Sequence, residues 1–206
     1  MFLSRIEIDL TSRQGQACFR DLYRFHQKLL LAFPAEAPAG GGRVLFRVEP
    51  GRGEGSAVVL VQSECAPDWG AARFTEAVPA LRSDGPKEIA IQLRPGDRVR
   101  FRMRANPTRR SDGKRLAVTG EAAQLQWLSR KLVSAGLKLD GARLVDEGMV
   151  RGRRGGASDS PPMTFISVLS EGVASVVDPA KIEPALASGI GTGKAFGFGL
   201  LSLGRL

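Results

Sequence analysis

One histidine, one tyrosine and two cysteines are all that 206 residues offer of the side chains that most often move protons or hold transition metals. Cys18 and Cys65 stand far apart, without Cys-x-x-Cys spacing and without histidines nearby, so a closed zinc site is excluded and both read as buried apolar residues. The only tight carboxylate pair on a predicted strand face is Glu7 with Asp9, which reads as a solvated face rather than a magnesium site. No metal and no other cofactor is expected. No apolar run approaches the ~20 residues of a membrane span. The first residues alternate like a strand instead of forming a signal-peptide core, so a cytoplasmic protein is expected. Aromatic residues make up only 6%, too few for a surface that stacks unpaired bases along its length.

What the chain has is positive charge. The net charge is +9, which points to a polyanionic partner. Residues 1–94 hold 12 Lys and Arg against 11 Asp and Glu, a balance of +1, whereas residues 95–206 hold 18 against 10, a balance of +8. The second half therefore carries the electrostatic surface. Hydrophobic residues at 43% and charged residues at 25% are ordinary for globular domains, and the length suits two modules of about 100 residues.

The apolar pattern divides the chain in the same way. Ile6, Ile8 and Leu10 alternate as a strand, and Leu22, Phe25, Leu29 and Phe33 recur at helical spacing, predicting a helix over 16–33. Strands over 44–48 and 57–61 follow, then a weak helical stretch over 69–81 and a short strand over 89–93. That order is β-α-β-β-α-β, the ferredoxin-like pattern, and it begins again after Pro95-Gly96. Val99, Phe101 and Met103 mark a strand; Leu125, Leu128, Leu132 and Ala135 stripe a helix that Gly136 ends. Hairpin arms over 144–150 and 163–169 flank a loop over 151–162. Asp178-Pro179 opens a helix to Ser188, and 198–203 closes the set as a strand. The expected fold is α+β, two tandem ferredoxin-like (RRM-like) βαββαβ modules over 1–94 and 95–206.

The basic residues are placed on these elements in a telling way. Arg98, Arg100, Arg102 and Arg104 alternate along one strand, so all four leave the same face at intervals of ~7 Å, close to the spacing of phosphates. An exposed edge strand protected by charge has the same pattern. Arg109, Arg110, Lys114 and Arg115 extend the positive region into the next loop, and Arg151, Arg153 and Arg154 sit at a glycine-rich hairpin tip. Trp127, beside Arg130 and Lys131 on the helix, reads as core-edge packing rather than as an RNA contact.

The C-terminal run Gly189-Ile-Gly-Thr-Gly-Lys-Ala-Phe-Gly-Phe-Gly-Leu-Leu-Ser-Leu203 has the backbone of an anion cradle. It is not a P-loop, because Ser188 and Ala195 stand where Gly and Ser or Thr belong, and it is not a dinucleotide fingerprint, because Lys194 and Phe196 stand where the third Gly belongs. It matches the RNP1 strand of RNA-recognition folds at Lys194, Phe196, Gly197 and Phe198 only. Gly191, Gly193 and Lys194 are the expected phosphate contacts. The single histidine, His26, lies one residue past the buried Phe25 position, with Tyr23 three residues earlier on the same flank. By spacing alone this reads as a pair at the edge of a core rather than as a catalytic pair.

Three stretches together resemble the CasE family, the CRISPR-associated endoribonuclease of type I-E systems. They are the glycine-rich run, Tyr23-Arg-Phe-His-Gln27, which is similar to the family's Tyr-x-x-His-Gln motif, and Phe101-Arg-Met-Arg-Ala-Asn-Pro-Thr108 with Gly113-Lys-Arg115. Thr192 departs from the Arg expected there, which leaves one phosphate contact in question. The resemblance implies cleavage of precursor CRISPR RNA at the base of the repeat stem-loop, with Tyr23 and His26 catalytic. It also implies a place beside the mature guide RNA and other subunits in the type I-E effector complex. Two other functions fit the composition: a non-catalytic tandem RNA-binding protein that stacks bases on Phe196 and Phe198, and a structural ribonucleoprotein subunit.

Overall fold

A computed structural model describes residues 1–34, 43–51, 53–153 and 161–206. The elements run β1 (Phe2–Asp9), α1 (Arg13–Arg20), α2 (Leu22–Leu29), β2 (Leu45–Pro50), β3 (Ser56–Ser63), α3 (Ala72–Thr75) and β4 (Ala80–Glu88), then β5 (Arg98–Ala105), β6 (Thr108–Ser111), β7 (Lys114–Ala117), α4 (Glu121–Ser134), β8 (Leu137–Gly152), β9 (Met163–Val176), α5 (Pro179–Ser188) and β10 (Leu201–Arg205). Two four-stranded sheets form, in the orders β2-β3-β1-β4 and β10-β5-β9-β8. In each, the module's first strand lies between its third and fourth and the second takes an edge, the ferredoxin-like arrangement. The fold is α+β with two such modules in tandem.

Two compact units result. One comprises Met1–Ala90, Gly152–Met163 and Ala195–Gly197; the other comprises Ile91–Arg151, Thr164–Lys194 and Phe198–Leu206. The glycine-rich run is thus divided between them, its middle three residues counting with the N-terminal unit.

In the first unit, Ile6 opposes Val59 and Phe46 opposes Val61 on one sheet face. These side chains form a core with Phe25 and Leu29 of α2 and with Trp69 and Phe74. Each large apolar side chain buried in this way contributes ~1.5–3 kcal/mol. The helix expected over 16–33 is broken in two. Asp21 adopts an extended conformation (φ −136°, ψ 90°) and its carboxylate accepts from the Arg24 N–H, while Ser12 accepts from the Gly15 N–H. An aspartate favours capping over mid-helix placement, so it starts a new helix and leaves Phe33 beyond its end. Apolar spacing survives the break because Cys18, Phe25 and Leu29 all remain buried.

Further along, only Ala72–Thr75 of the stretch over 69–81 is helical, and the fourth strand is Ala80–Glu88 rather than 89–93. Its side chains are exposed along nearly the whole length, so β4 shows no apolar alternation and is held by backbone pairing with β1. The strand expected over 44–48 is β2, but its first residues are buried on both faces. Leu45 and Arg47 are buried on the face opposite Phe46, and the Arg47 guanidinium, 1% exposed, meets the Glu49 carboxylate at 2.5 Å.

The second unit follows its pattern more closely. Val99, Phe101, Met103 and Ala105 of β5 are buried, α4 buries Leu128 and Leu132, and Gly136 at φ +81° ends it. Trp127 is 3% exposed and takes Leu125's expected place in the core, Leu125 being 38% exposed. The basic loop after β5 is in fact a hairpin, β6–β7, whose turn is Asp112-Gly113 with both residues at positive φ. Asp-Gly at such a turn matches the twist of the flanking strands. The arms β8 and β9 are far longer than expected, because they continue through polar and glycine-containing stretches that carry no apolar alternation. At the C-terminus β10 starts at Leu201, since Gly197 and Gly199 hold the preceding backbone at positive φ.

Candidate functional site

Helix α2 presents Tyr23 and His26 side by side, both half-buried. The His26 ring stacks on Phe46 of β2, with centroids 5.7 Å apart and planes at 14°. Its Nδ1 is buried and, among the described residues, has no hydrogen-bond partner. Burial pushes the His26 pKa below its ordinary 6.5, because the charged ring would lose solvation in this setting. The imidazole is therefore neutral at physiological pH.

Three segments distant in sequence meet at this helix. The Tyr23 ring packs against Phe196, centroids 5.7 Å apart. Phe46, beneath His26, lies so close to Gly197 that a Cβ there would stand 3.2 Å from the ring. Phe196 also covers Gly152 at the end of β8, where a Cβ would overlap its ring. Residues 195–197 of the glycine-rich run, the Tyr-His helix and the turn end of the long hairpin thus converge within one compact unit. Arg151 and Arg153, flanking Gly152, are exposed; Arg154 lies outside the described residues.

The rest of the run is shaped by glycines at positive φ, Gly191 and Gly193 among them, and residues 191–195 are half-exposed where 196–200 are buried. Thr192, at the position where an Arg was expected, accepts a hydrogen bond from Asn106 Nδ2 at 3.1 Å. Asn106 is itself 5% exposed, and its Oδ1 accepts from the Ile166 N–H at 3.2 Å. One buried amide therefore ties the run to β9. Nothing in the spacing of the sequence identified it. Lys194 opens a 3-10 turn, Lys194–Phe196.

The arginine strand behaves differently from a bare phosphate ladder. Burial alternates along β5, so Arg98, Arg100, Arg102 and Arg104 do share a face. Arg104 makes two 2.6 Å contacts with Glu147, however, and Arg102 pairs with Glu171. Arg98 reaches Asp140 at 3.5 Å, and Arg100 is exposed with no ion pair among the described residues. The acids come from β8 and β9, strands remote in sequence. In the β6–β7 hairpin, Arg109, Arg110, Lys114 and Arg115 are all exposed, and Arg110 lies opposite Arg115. Trp127 anchors its base, donating from Nε1 to the Thr108 carbonyl at 3.1 Å.

Several expectations need correction. Phe196 is 5% exposed and Phe198 is fully buried against Phe165, so neither offers a face to a base. Cys18 is buried, which raises its thiol pKa, but Cys65 is half-buried. Glu7 and Asp9 are engaged inside the chain rather than simply solvated. Glu7 accepts from the Ser56 hydroxyl, and Asp9 accepts from the Thr11 N–H and hydroxyl, which lower its pKa. Among the described residues no group of three or more His, Cys, Asp and Glu is placed to hold a metal ion, and no helix is long and apolar enough to cross a membrane.

The fold and site define a class: tandem ferredoxin-like proteins in which a histidine-bearing helix meets a glycine-rich run and the second module is strongly basic. Residues 1–205 match the profile of the family described as CRISPR associated protein, and the chain belongs to that family. It is 35% identical to the CRISPR-associated endoribonuclease Cse3 of Thermus thermophilus over 98% of this chain and 99% of that protein. It is 32% identical to the CRISPR system Cascade subunit CasE of Escherichia coli strain K12, over the whole of both. Among solved structures, Thermus thermophilus Cse3 bound to an RNA representing a pre-cleavage complex superposes with a TM-score of 0.87 and 34% identity, covering 99% of this chain and 98% of that one.

Proposed function

We propose that the chain is a metal-independent endoribonuclease that cleaves precursor CRISPR RNA at the base of the repeat stem-loop and stays with the mature guide RNA in the type I-E effector complex. The observation that carries this reading is the meeting of Tyr23 and His26 with the glycine-rich run. Tyr23 and His26 would supply the proton transfers, and the glycines of the run a backbone suited to phosphate. The names of the two relatives, an endoribonuclease and a Cascade subunit, support the substrate and the assembly.

In the proposed reaction the RNA 2′-oxygen attacks the adjacent phosphorus, the bond from phosphorus to the 5′-oxygen breaks, and the products are a 2′,3′-cyclic phosphate and a 5′-hydroxyl. One proton leaves the 2′-hydroxyl and one reaches the departing oxygen. His26 is better suited to the first transfer. As base or as acid the resting ring needs a proton on the buried Nδ1, so that cost is common to both roles. Only the acid also needs a resting positive charge, and burial opposes that charge. Tyr23 positions the reacting groups or shares the second transfer. Lys194 and the N–H groups around Gly191 and Gly193 stabilise the growing charge on the phosphate oxygens. The basic hairpin residues Arg109, Arg110, Lys114 and Arg115, with Arg151, Arg153 and Arg154, grip the stem.

Incubation with a repeat hairpin in excess EDTA tests the reading directly. Discrete products with cyclic-phosphate ends are expected at the rate seen without chelator. Binding without products would leave only an RNA-binding protein. The pH profile tests the role of His26. A base must be deprotonated, so single-turnover rates should rise with pH along a limb whose midpoint lies below 6.5, then stay level through neutrality. A rate that falls as pH rises through that range would make His26 the acid.

A further inference from the structure

Charge on the open face of the second sheet is not evenly available. Arg102 and Arg104 are committed to Glu171 and Glu147, and the Arg104 side chain is only 18% exposed. At the other end of β5 the Arg98 side chain is 61% exposed, with only the 3.5 Å contact to Asp140, an exposed pair of the kind worth ~0–1 kcal/mol. Here a cleft of about 660 Å³ opens, lined by Gln92, Leu93, Arg94, Asp97, Arg98 and Arg205. Arg94 and Arg205 are exposed and have no ion pair among the described residues. Asp97 directs one carboxylate oxygen to the Arg94 N–H at 2.8 Å, where it closes a turn. Arg94, Arg98 and Arg205 therefore line this cleft, Arg205 from β10 where it pairs with Val99, and Arg100 follows Arg98 on the open face of β5.

We infer that this cleft is a second nucleic-acid contact, holding the phosphodiester backbone of unpaired RNA that adjoins the stem-loop; this rests on the RNA-processing reading above. Guanidinium forks match phosphate oxygens in geometry and remain charged at any working pH. Arg98 and Arg100, two residues apart on a strand, stand ~7 Å from each other, close to the repeat of a sugar-phosphate chain. A concave site of this volume has room for nucleotides of a flexible single strand. The same site gives RNA binding a component that does not depend on the stem.

The test uses full-length protein carrying His26→Ala, so that RNA is not consumed, with and without Arg94→Gln and Arg205→Gln. Affinity is measured for a repeat hairpin trimmed to its stem and for the same hairpin with unpaired nucleotides on either flank. The flanked RNA should bind about tenfold more tightly than the trimmed one, and the double substitution should remove that advantage. It should also lower the salt slope for flanked RNA by about 1.4, or ~0.7 for each phosphate no longer neutralised. Affinity for the trimmed hairpin should change less than about twofold. An unaltered advantage and slope would overturn the inference and leave the cleft to an acidic protein segment. Equal weakening of both RNAs would overturn it too, because that is a general field and not a site. A protein with both arginines intact that binds neither hairpin better than an unrelated RNA would instead overturn the RNA-processing reading itself.

Discussion

Replacing His26 with alanine should slow single-turnover cleavage of a repeat hairpin by ~10²–10⁴-fold, the usual worth of a positioned proton-transfer group. RNA affinity should stay within about twofold, because the ring lies on Phe46 at the edge of a core and the proposed binding charge lies elsewhere. No second histidine exists to take over. Tyr23→Phe makes a useful companion, since it keeps the packing against Phe196 and removes only the hydroxyl. Rates and dissociation constants measured on the same RNA separate chemistry from binding. A His26→Ala protein that cuts at close to the original rate would remove the catalytic assignment and leave a binding protein.

Gly199→Ala should do damage of a different kind. Gly199 has φ +89°, and a Cβ there would come 2.6 Å from the Ile190 carbonyl oxygen, which belongs to the backbone and cannot turn away. Its N–H donates to the Arg104 carbonyl at 2.8 Å, and its own carbonyl accepts from the Ile190 N–H at 2.9 Å, so the residue ties both ends of the run to the sheet. Left-handed strain alone costs ~1–2 kcal/mol, and the backbone clash adds to it, giving a loss of roughly 2–4 kcal/mol. The melting temperature should fall by roughly 5–15 °C. RNA affinity and cleavage should fall together, since Gly191, Gly193 and Lys194 lose their common geometry. Gly204→Ala, where the added methyl meets nothing within 4 Å, serves as the control and should be nearly silent. Equal melting temperatures and equal cleavage for the two variants would mean that the run does not need its glycine geometry.

Much of the fold could be read before any coordinates, and the readable parts share a cause. β1, β5, α4 and α5 have one buried and one exposed side, and a half-buried element writes its period into the order of apolar residues. Where burial takes another form the reading failed. β4 is exposed along nearly all its length and carries no alternation, while β2 lies where expected but buries Arg47 on the face opposite Phe46. The division at Asp21 was hidden because two successive helices kept one apolar stripe, and only the capping preference of the aspartate marked the boundary. The long hairpin is longer than its apolar pattern indicates because charged residues, serines and glycines interrupt the alternation over 137–143 and 170–176, the end away from its turn.

The site divides along the same line. The sequence by itself determined that His26 is the one side chain with an unperturbed pKa near neutrality, so that neutral-pH proton transfer falls to it or to a strongly shifted group, that the positive charge sits in the second half, and that the glycine-rich run is neither kind of nucleotide loop. Those conclusions depend on residue chemistry and local spacing, which a sequence carries in full. Only the tertiary structure decided that Phe196 packs against Tyr23 and Gly197 against Phe46, that Asn106 fastens Thr192, and that two of the four arginines on β5 are closely held by Glu147 and Glu171. Each of these joins residues far apart in the chain, across connections whose closure depends on the packing of whole sheets and helices, and no local pattern of residues encodes such a distance.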